Sequence, residues 1–292
     1  MGSIAGLDLG DFGIYTFDFE FQPAAQIRDS IQALEGQGWQ SFWFPELLGR
    51  ESFSHAGFLL SCTEQIRIVS AIAKIWVRPA RWAQSSSVLL SDAYPDRYVV
   101  GLGFGGEPKA GTKPLTAMRD YLDEMDSFAD PSPAPKSPSR RFLAAYGPKM
   151  IELARDRTDG VQVYHSNVEH TARAREVAGP DTFLAVEQTV LFERDPEKAR
   201  AIAREHMDIY LTSPFNIAKF RRLGYSDEEI GNGGSDRIID DYVFWGDQDT
   251  IVEKLQRHIA AGASHVSIQV IGLDPGESAV GHWQRLADAL LS

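Results

Sequence analysis

The stretch RYVVGLGFGGE, from Arg97 to Glu107, decides the fold that this sequence predicts. Its first half is rich in β-branched and aromatic residues, which is typical of a buried strand. Its second half is a glycine-rich turn that ends in a carboxylate. In a parallel sheet the turns that follow the strands all meet at one edge, where ligands bind. We therefore expect this turn to be one ligand loop among several.

The glycine-rich turn admits three interpretations. Its letters from Gly101 to Gly106 match G-x-G-x-x-G, a pattern of dinucleotide-binding folds. Such a fold would place the pattern after its first strand and directly before a helix, whereas here three strand–helix units precede it and EPKAGTKP follows. The other interpretations are a flexible turn and a close approach of backbone to a planar ligand, which glycine permits because it has no side chain.

Strand-like and helix-like segments alternate on both sides of this turn. Eight strands, each followed by helix, are the number for a closed (β/α)8 TIM barrel, and 292 residues are close to the roughly 250 typical of one. The near-continuous apolar runs suit parallel strands that are buried on both faces. The predicted strands are 12–17, 41–45, 66–75, 98–102, 142–146, 160–164, 184–192 and 265–272.

The sequence predicts a single domain over residues 1–292, with insertions in the late βα loops. DPSPAPKSPSRR contributes a proline-rich surface connection at residues 130–140, which is too short to separate domains. Residues 212–242 read as an irregular insertion. The first helix has apolar residues at Ile27, Ile31 and Leu34, which is the spacing of one helix face.

The charge distribution bears on partners and location. Net charge is −12, from 29 Lys+Arg and 41 Asp+Glu, and the acidic residues are scattered along the chain, which favours a role in solubility and argues against nucleic acid as a partner. No stretch approaches the roughly 18 apolar residues that a membrane span needs, and no signal peptide pattern opens the chain. We therefore expect a cytoplasmic protein. No histidine pair or carboxylate cluster has the spacing of metal ligands, so we expect no metal site.

The segment AYGPKMIELA gives the clearest argument for an anion site. Pro148 suits the first position of a helix, and Gly147 lets the backbone approach a ligand. The free N–H groups at a helix start attract anions, and Lys149 adds a positive charge. A phosphate fits such a site, although an ordinary helix start with a solvated lysine would look the same.

Three more residues follow predicted strands. Glu46 comes directly after the second strand, either as a carboxylate at the barrel mouth or as a residue of the next helix start. His165 follows the sixth strand and is either a site residue or a hydrogen-bonded loop residue. Trp76 lies just beyond the third strand, where its ring could pack in the core or line a pocket for a ring-shaped ligand.

Four segments in this order and spacing resemble the luciferase-like monooxygenase superfamily, and within it the actinobacterial branch of deazaflavin (coenzyme F420)-dependent oxidoreductases. They are GQGWQSFWFPE, SCTEQIRIVSAIAKIWVRPARWAQSSSVLLSDAYPDRYVVGLGFG, LAAYGPKMIELARDRTDGVQVYHSNVEHTARARE and WGDQDTIVEKLQRHIAAGASHVSIQV. The resemblance covers nearly the whole chain and implies a (β/α)8 barrel, often a homodimer, that binds a flavin or deazaflavin at the carboxyl ends of its strands. The compact GGEPKAGTKP departs from the longer segment that relatives carry after LGLG.

The resemblance also implies roles for particular residues. Ala71 and Ile72 match a bulge with a non-prolyl cis peptide that backs the central ring of the cofactor. Tyr146 and Gly147 match the loop that binds the cofactor phosphate, where Lys149 adds its charge, and Tyr164 and His165 match the loop beside it. Glu46 and Glu107 match positions of catalytic groups near the reactive ring face, with Glu107 as the family's proton donor.

The predicted function is therefore an F420-dependent oxidoreductase that transfers a hydride between the deazaflavin and a small organic substrate. The alternatives are an FMN-dependent monooxygenase and a barrel that binds a flavin or deazaflavin without catalysis. Between GGEPKAGTKP, Trp76 and residues 212–242 we expect the substrate pocket.

Overall fold

The computed structural model of the chain describes residues 3–4, 6–105, 111–273 and 278–291. The strands are β1 (Ser3–Ile4), β2 (Leu7–Asp8), β3 (Phe12–Tyr15), β4 (Ser41–Phe44), β5 (Arg67–Ser70), β6 (Ala73–Lys74), β7 (Tyr98–Gly103), β8 (Arg140–Ala144), β9 (Gly160–Val163), β10 (Phe183–Leu191), β11 (Val243–Trp245) and β12 (His265–Val270). The helices are α1 (Ala24–Gly36), α2 (Ser52–Ser61), α3 (Ala80–Ala93), α4 (Pro114–Ser127), α5 (Pro148–Arg157), α6 (Val168–Ala178), α7 (Pro196–Leu211), α8 (Pro214–Arg222), α9 (Asp227–Ile230), α10 (Asp236–Tyr242), α11 (Gln248–Ala260) and α12 (Val280–Leu290).

Eight parallel strands close into a barrel in the order β3, β4, β5, β7, β8, β9, β10 and β12, and β12 pairs back onto β3. This confirms the (β/α)8 barrel that the sequence predicts. Outside the barrel, β11 pairs in parallel with the last three residues of β10, which is nine residues long. Among the described residues, the short strands β1 and β2 form a separate two-stranded sheet.

The alternation of side chains along each strand divides the apolar residues into two cores. Residues on one face of the strands, such as Phe42 and Ile68, pack against the surrounding helices, including Ile27 and Leu34 of α1. Residues on the other face fill the barrel interior, where the aromatic rings stack. The interior cluster comprises Tyr15, Trp43, Val69, Ala71, Val99, Phe142, Phe183 and Ala185, together with Ile4, Leu7 and Leu9.

Two sequence predictions need correction in this architecture. The third predicted strand, 66–75, is interrupted, since β5 ends at Ser70 and β6 begins at Ala73. The segment 212–242 is mostly helical, because α8, α9 and α10 lie within it and their apolar residues form a core of their own with α7 and β11. None of the helices in the described ranges has the length and hydropathy that a membrane crossing requires.

Candidate active site

The loops after the barrel strands form one face of the molecule, which we call the barrel mouth. The break in the third strand lies between Ser70 and Ala73, and the peptide bond between Ala71 and Ile72 is cis, as the family resemblance led us to expect. Three hydrogen bonds hold this segment: the Tyr15 hydroxyl donates to the Ala71 carbonyl at 2.9 Å, the Ala71 N–H donates to the Phe44 carbonyl, and the Glu46 N–H donates to the Ile72 carbonyl.

The glycines of the neighbouring strand β7 make room for this segment. A Cβ atom on Gly101 would lie 2.1 Å from the Ser70 carbonyl oxygen, and one on Gly103 would lie 2.8 Å from the Ile72 side chain. Real Cβ atoms do not approach other heavy atoms so closely, so any other residue at these positions would force the Ser70 backbone or the Ile72 side chain to shift. The approach of this backbone to a planar ligand stays a prediction, and the structure shows that Gly101 and Gly103 closely approach the broken strand.

Glu46 links the loop after β4 to the loop after β6 through hydrogen bonds and an ion pair. Its carboxylate accepts hydrogen bonds from the Ser52 N–H at 3.1 Å and the Lys74 N–H at 2.7 Å, and it forms a buried ion pair with Arg78. Arg78 also pairs with Glu51 at 2.9 Å. With both oxygens engaged in this way, the carboxylate is arranged to hold the two loops together, and its catalytic role stays a prediction.

Trp76 and Phe104 form one wall of the mouth, with their ring centroids 5.1 Å apart. The indole N–H of Trp76 is buried and has no hydrogen-bond partner among the described residues. A polar group left in this way is one that a ligand can satisfy. Glu107, the predicted proton donor, lies outside the described residues.

Helix α5 begins at Pro148 with Gly147 as its N-cap residue, as the sequence predicts. A Cβ atom on Gly147 would meet no described atom within 4 Å, so the helix start is open to a ligand. Lys149 is exposed in the first turn. Tyr146, just before the cap, stacks on His170 with ring centroids 3.8 Å apart. This geometry fits an anion at the amino end of α5.

Tyr164 and His165 diverge at the end of β9. The Tyr164 hydroxyl lies 2.6 Å from that of Tyr210, whereas the His165 ring is buried between Tyr210 and Tyr242 at centroid distances of 3.8 and 4.8 Å. The backbone of His165 takes the left-handed conformation, with φ of 52°. Burial, and then the nearby ammonium group of Lys219, lower the pKa of His165 well below its usual value. The imidazole is therefore neutral, and it is buried away from solvent.

Sequence reasoning missed two buried ionisable residues beside His165. Glu187 on β10 accepts hydrogen bonds from the His165 N–H at 3.0 Å and the Thr189 hydroxyl at 3.1 Å, and burial raises the pKa of Glu187 to about 7. Lys219 on α8 donates to the His165 carbonyl, and burial lowers the pKa of Lys219 to about 7. Buried ionisable groups with shifted pKa values concentrate at functional sites.

The sequence carries a signal for only one of these two residues. Glu187 is a charged residue inside the apolar run LAVEQTVLF, and a carboxylate at an inward position of a barrel strand could have been noticed. Lys219 lies in FNIAKFRRLGY, whose pattern does not distinguish the buried cation from its exposed neighbours.

Aromatic side chains join the broken strand to the amino end of α5. Adjacent ring centroids along this aromatic wall lie 3.8–6.2 Å apart until Tyr242, which is linked to Tyr146 through the Lys219 ammonium group between them. Phe17, Tyr164, Tyr210 and Tyr146 are partly exposed, whereas Tyr15, His165 and Tyr242 are buried. The partly exposed rings can face a planar ligand whose charged tail lies at the anion-binding end. In order, the wall comprises Phe17, Tyr15, Tyr164, Tyr210, His165, Tyr242 and Tyr146.

Two cavities elsewhere offer weaker chemistry. The first, of about 550 Å³, is lined by charged residues near the start of β8, where Arg141 and Arg157 pair with Asp126 and Arg140 pairs with Asp159. The second, of about 280 Å³, lies between α6, α10 and α11. Within the described ranges, no group of three or more His, Cys, Asp or Glu residues is arranged to hold a metal ion.

Most of the chain is similar in sequence to known proteins. The family model of the luciferase-like monooxygenases matches residues 11–265. The chain is 25% identical over 225 residues to 5,10-methylenetetrahydromethanopterin reductase of Methanolobus tindarius, which covers 65% of this chain and 69% of that protein.

Two solved structures share the barrel. The coenzyme F420-dependent tetrahydromethanopterin reductase of Methanopyrus kandleri has a TM-score of 0.74 at 18% identity, over 96% of this chain and 98% of that one. The FMN complex of a type II Baeyer–Villiger monooxygenase, the oxygenating constituent of 3,6-diketocamphane monooxygenase of Pseudomonas putida, has a TM-score of 0.67 at 18% identity, over 96% of both chains. At these identities the likeness concerns the fold alone.

Proposed function

The chain belongs to the luciferase-like monooxygenase family, and on this premise we propose that it is an F420-dependent oxidoreductase that transfers a hydride between the deazaflavin and a small organic substrate. The observation that carries the proposal is the aromatic wall, which runs from the Ala71–Ile72 segment to the open amino end of α5. The wall suits a planar cofactor, and the helix end suits its phosphate.

Different residues of the mouth would bind different parts of such a cofactor. Ala71 and Ile72 would back the central ring, and Tyr146, Gly147 and Lys149 would hold the phosphate. Tyr164 would face the ring from the wall. His165 contributes through its backbone, since its N–H and carbonyl fix Glu187 and Lys219, respectively.

When bound, the deazaflavin supplies the hydride chemistry, and the protein contributes orientation, exclusion of water and one proton-transfer group. We propose Glu107 for the proton transfer and Trp76 for the substrate pocket. For Glu46 we propose a positioning role, because the Arg78 ion pair and two backbone N–H groups already occupy its oxygens.

The second candidate is an FMN-dependent monooxygenase. Its support is the matching barrel in complex with FMN, a cofactor that also has a planar ring and a phosphate. The two candidates differ in what the reduced cofactor reacts with. A reduced deazaflavin reacts poorly with oxygen and passes its hydride to an organic acceptor, whereas reduced FMN activates oxygen.

Titration of the purified protein with F420 and, separately, with FMN tests the proposal. We expect F420 to bind and to quench tryptophan fluorescence, with a smaller response in a Trp76→Phe variant because Trp76 lies at the mouth. Hydride transfer is then measured anaerobically as oxidation of reduced F420 by a panel of small carbonyl compounds. Oxygen uptake with reduced FMN would support the second candidate, and binding without turnover of either cofactor would contradict both.

A further inference from the structure

Lys219 stands out because its ammonium group is buried without a carboxylate partner. The residue is 2% exposed, and its Nζ atom donates to the His165 carbonyl and lies 3.3 Å from His165 Nδ1. Among the described residues, no carboxylate lies within ion-pair distance of it. A buried charge without a counter-ion is costly, so a lysine in this position calls for a functional reason.

The place of Lys219 suggests that reason. Its Nζ atom lies 4.4 Å from the centre of the Tyr146 ring, and Tyr146 directly precedes the N-cap of α5. The ammonium group thus lies against the ring of the residue that precedes Gly147, where the helix start is open. Because a lysine stem is flexible and a helix start already favours anions, the two can act on the same negatively charged group.

We infer that Lys219 is an anion-binding residue of the cofactor site, whose ammonium group meets the phosphate that enters at the amino end of α5. This inference rests on the proposed function for the identity of the anion. The phosphate would be the counter-ion that the buried lysine lacks in the free protein. Helix α8, which lies in the insertion after β10, would then contribute to cofactor binding.

The surroundings of Lys219 determine how its charge changes on binding. Burial lowers its pKa to about 7, Glu187 counteracts this shift, and Arg222 reinforces it. At pH 8 the amine is mostly neutral in the free protein, and a bound phosphate would favour the charged form. Binding at pH 8 should therefore take up a proton, whereas at pH 6 the amine is already charged. The titratable and charged groups that face it are Tyr146, His165, His170, Glu187, Arg222 and Tyr242.

Isothermal titration calorimetry of the full chain measures this proton uptake. Titrations with F420, FMN and inorganic phosphate are run at pH 8 in buffers of different ionisation enthalpy. We expect between about one half and one proton to be taken up per anion at pH 8, and much less at pH 6. In a Lys219→Met variant the uptake should vanish and binding should weaken roughly tenfold or more, since a charge-assisted hydrogen bond is lost.

A Lys198→Met variant is the matched control, because Lys198 is an exposed lysine in the first turn of another helix, α7. It should leave both the affinity and the proton uptake unchanged. Unchanged affinity and uptake in a folded Lys219→Met variant would overturn the inference, and if that variant does not fold, absence of uptake by the wild-type protein at pH 8 would do so. Binding of inorganic phosphate with uptake, but of neither cofactor, would support the lysine's role while contradicting the proposed function. Binding of no anion would overturn both.

Discussion

At the scale of single residues, the mouth contains two buried carboxylates in opposite environments. Glu46 faces a guanidinium group and two backbone N–H donors. Glu187 has two neutral donors and is almost fully buried, so desolvation dominates and raises its pKa to about 7. Each environment gives a distinct prediction. The stabilising effect of Glu46 depends on its ion partner, whereas that of Glu187 depends on pH.

Replacement of Glu187 by glutamine should change how stability depends on pH. Between pH 4.5 and about pH 7 the folded protein holds a proton on Glu187 that the unfolded chain has released, so the wild-type free energy of unfolding falls as pH rises through this window. Glutamine keeps an acceptor for the His165 N–H and does not titrate. We expect the stability of Glu187→Gln, relative to wild type, to increase between pH 5 and pH 8 by up to about 3 kcal/mol.

Urea denaturation at pH 5, 6, 7 and 8 measures this trend in the Glu187→Gln variant. The exposed Glu176 on α6 gives a control, Glu176→Gln, for which the relative stability should not follow pH in this way. A stability difference for Glu187→Gln that stays constant over the range would contradict the raised pKa.

Glu46→Gln should destabilise the protein, because it leaves the buried guanidinium of Arg78 with only the half-exposed Glu51 as an ion partner. We expect a loss of about 2 kcal/mol or more in the free energy of unfolding. In the double variant Glu46→Gln with Arg78→Met, part of this loss should be recovered, since the unpaired charge is gone. Thermal and urea unfolding of the three variants tests this, and equal destabilisation of the single and double variants would count against a positioning role.

At the scale of elements, the interrupted third strand and the glycines of β7 form one unit. Gly101→Ala would bring a Cβ atom to 2.1 Å from the Ser70 carbonyl oxygen, and backbone on both sides must shift to accommodate it. We expect a loss of about 3 kcal/mol or more, at or above the upper end of the range for overpacked cores. Gly36→Ala at the end of α1 is the control, because a Cβ atom there meets no described atom within 4 Å and alanine favours helix.

Chemical denaturation of the two glycine variants compares these costs directly. Near-equal stability of Gly101→Ala and Gly36→Ala would show that β5 and β7 are less tightly packed than the distances indicate. Cofactor titration of the same variants extends the test, since displacement of Ser70 should also displace Ala71 and weaken binding. Gly36→Ala, far from the mouth, should bind as the wild type does.

The sequence predicted helices and strands correctly where an element is long enough to show its full pattern of apolar residues. The helix predicted from Ile27, Ile31 and Leu34 forms as α1, and all three side chains are buried. The insertion after β10 was misread because α9 and α10 are only four and seven residues long, too short to show an amphipathic repeat. The capping box of Ser226 and Glu229 at the start of α9 was the readable signal.

The candidate site followed from the sequence only in part, because its charges are set by contacts distant along the chain. The helix start at Gly147 and Pro148 is a local pattern and was predicted from local residues. The environment of Lys219 is made by residues from the loops after β8 and β9 and from α10, and no local pattern encodes it. Likewise, the glycines of β7 indicated a close approach, but their partner lies on another strand.

At the scale of the whole molecule, the family resemblance led us to expect a homodimer, and one exposed apolar face suits this. Trp82 and Leu89 lie seven residues apart on α3, on the same side of the helix, and are 56% and 65% exposed. Val77, just before the helix, is also exposed. Neighbouring large apolar side chains exposed on one helix face are typical of protein interaction sites. In a dimer, the same apolar side chains of a second copy would cover this face.

We therefore predict that Leu89→Glu, alone or with Trp82→Glu, shifts the protein from dimer to monomer. A charged carboxylate on each copy of the face would lose the apolar contact and would be costly to bury between two copies. Sedimentation equilibrium measures the mass directly, and we expect it to halve in the variant at micromolar concentration. Ile209→Glu on α7 is the control, because that side chain is also largely exposed and its helix follows β10 on the opposite side of the barrel. A wild-type protein that sediments as a monomer, or a Leu89→Glu variant that remains a dimer, would show that this face of α3 does not hold two copies together.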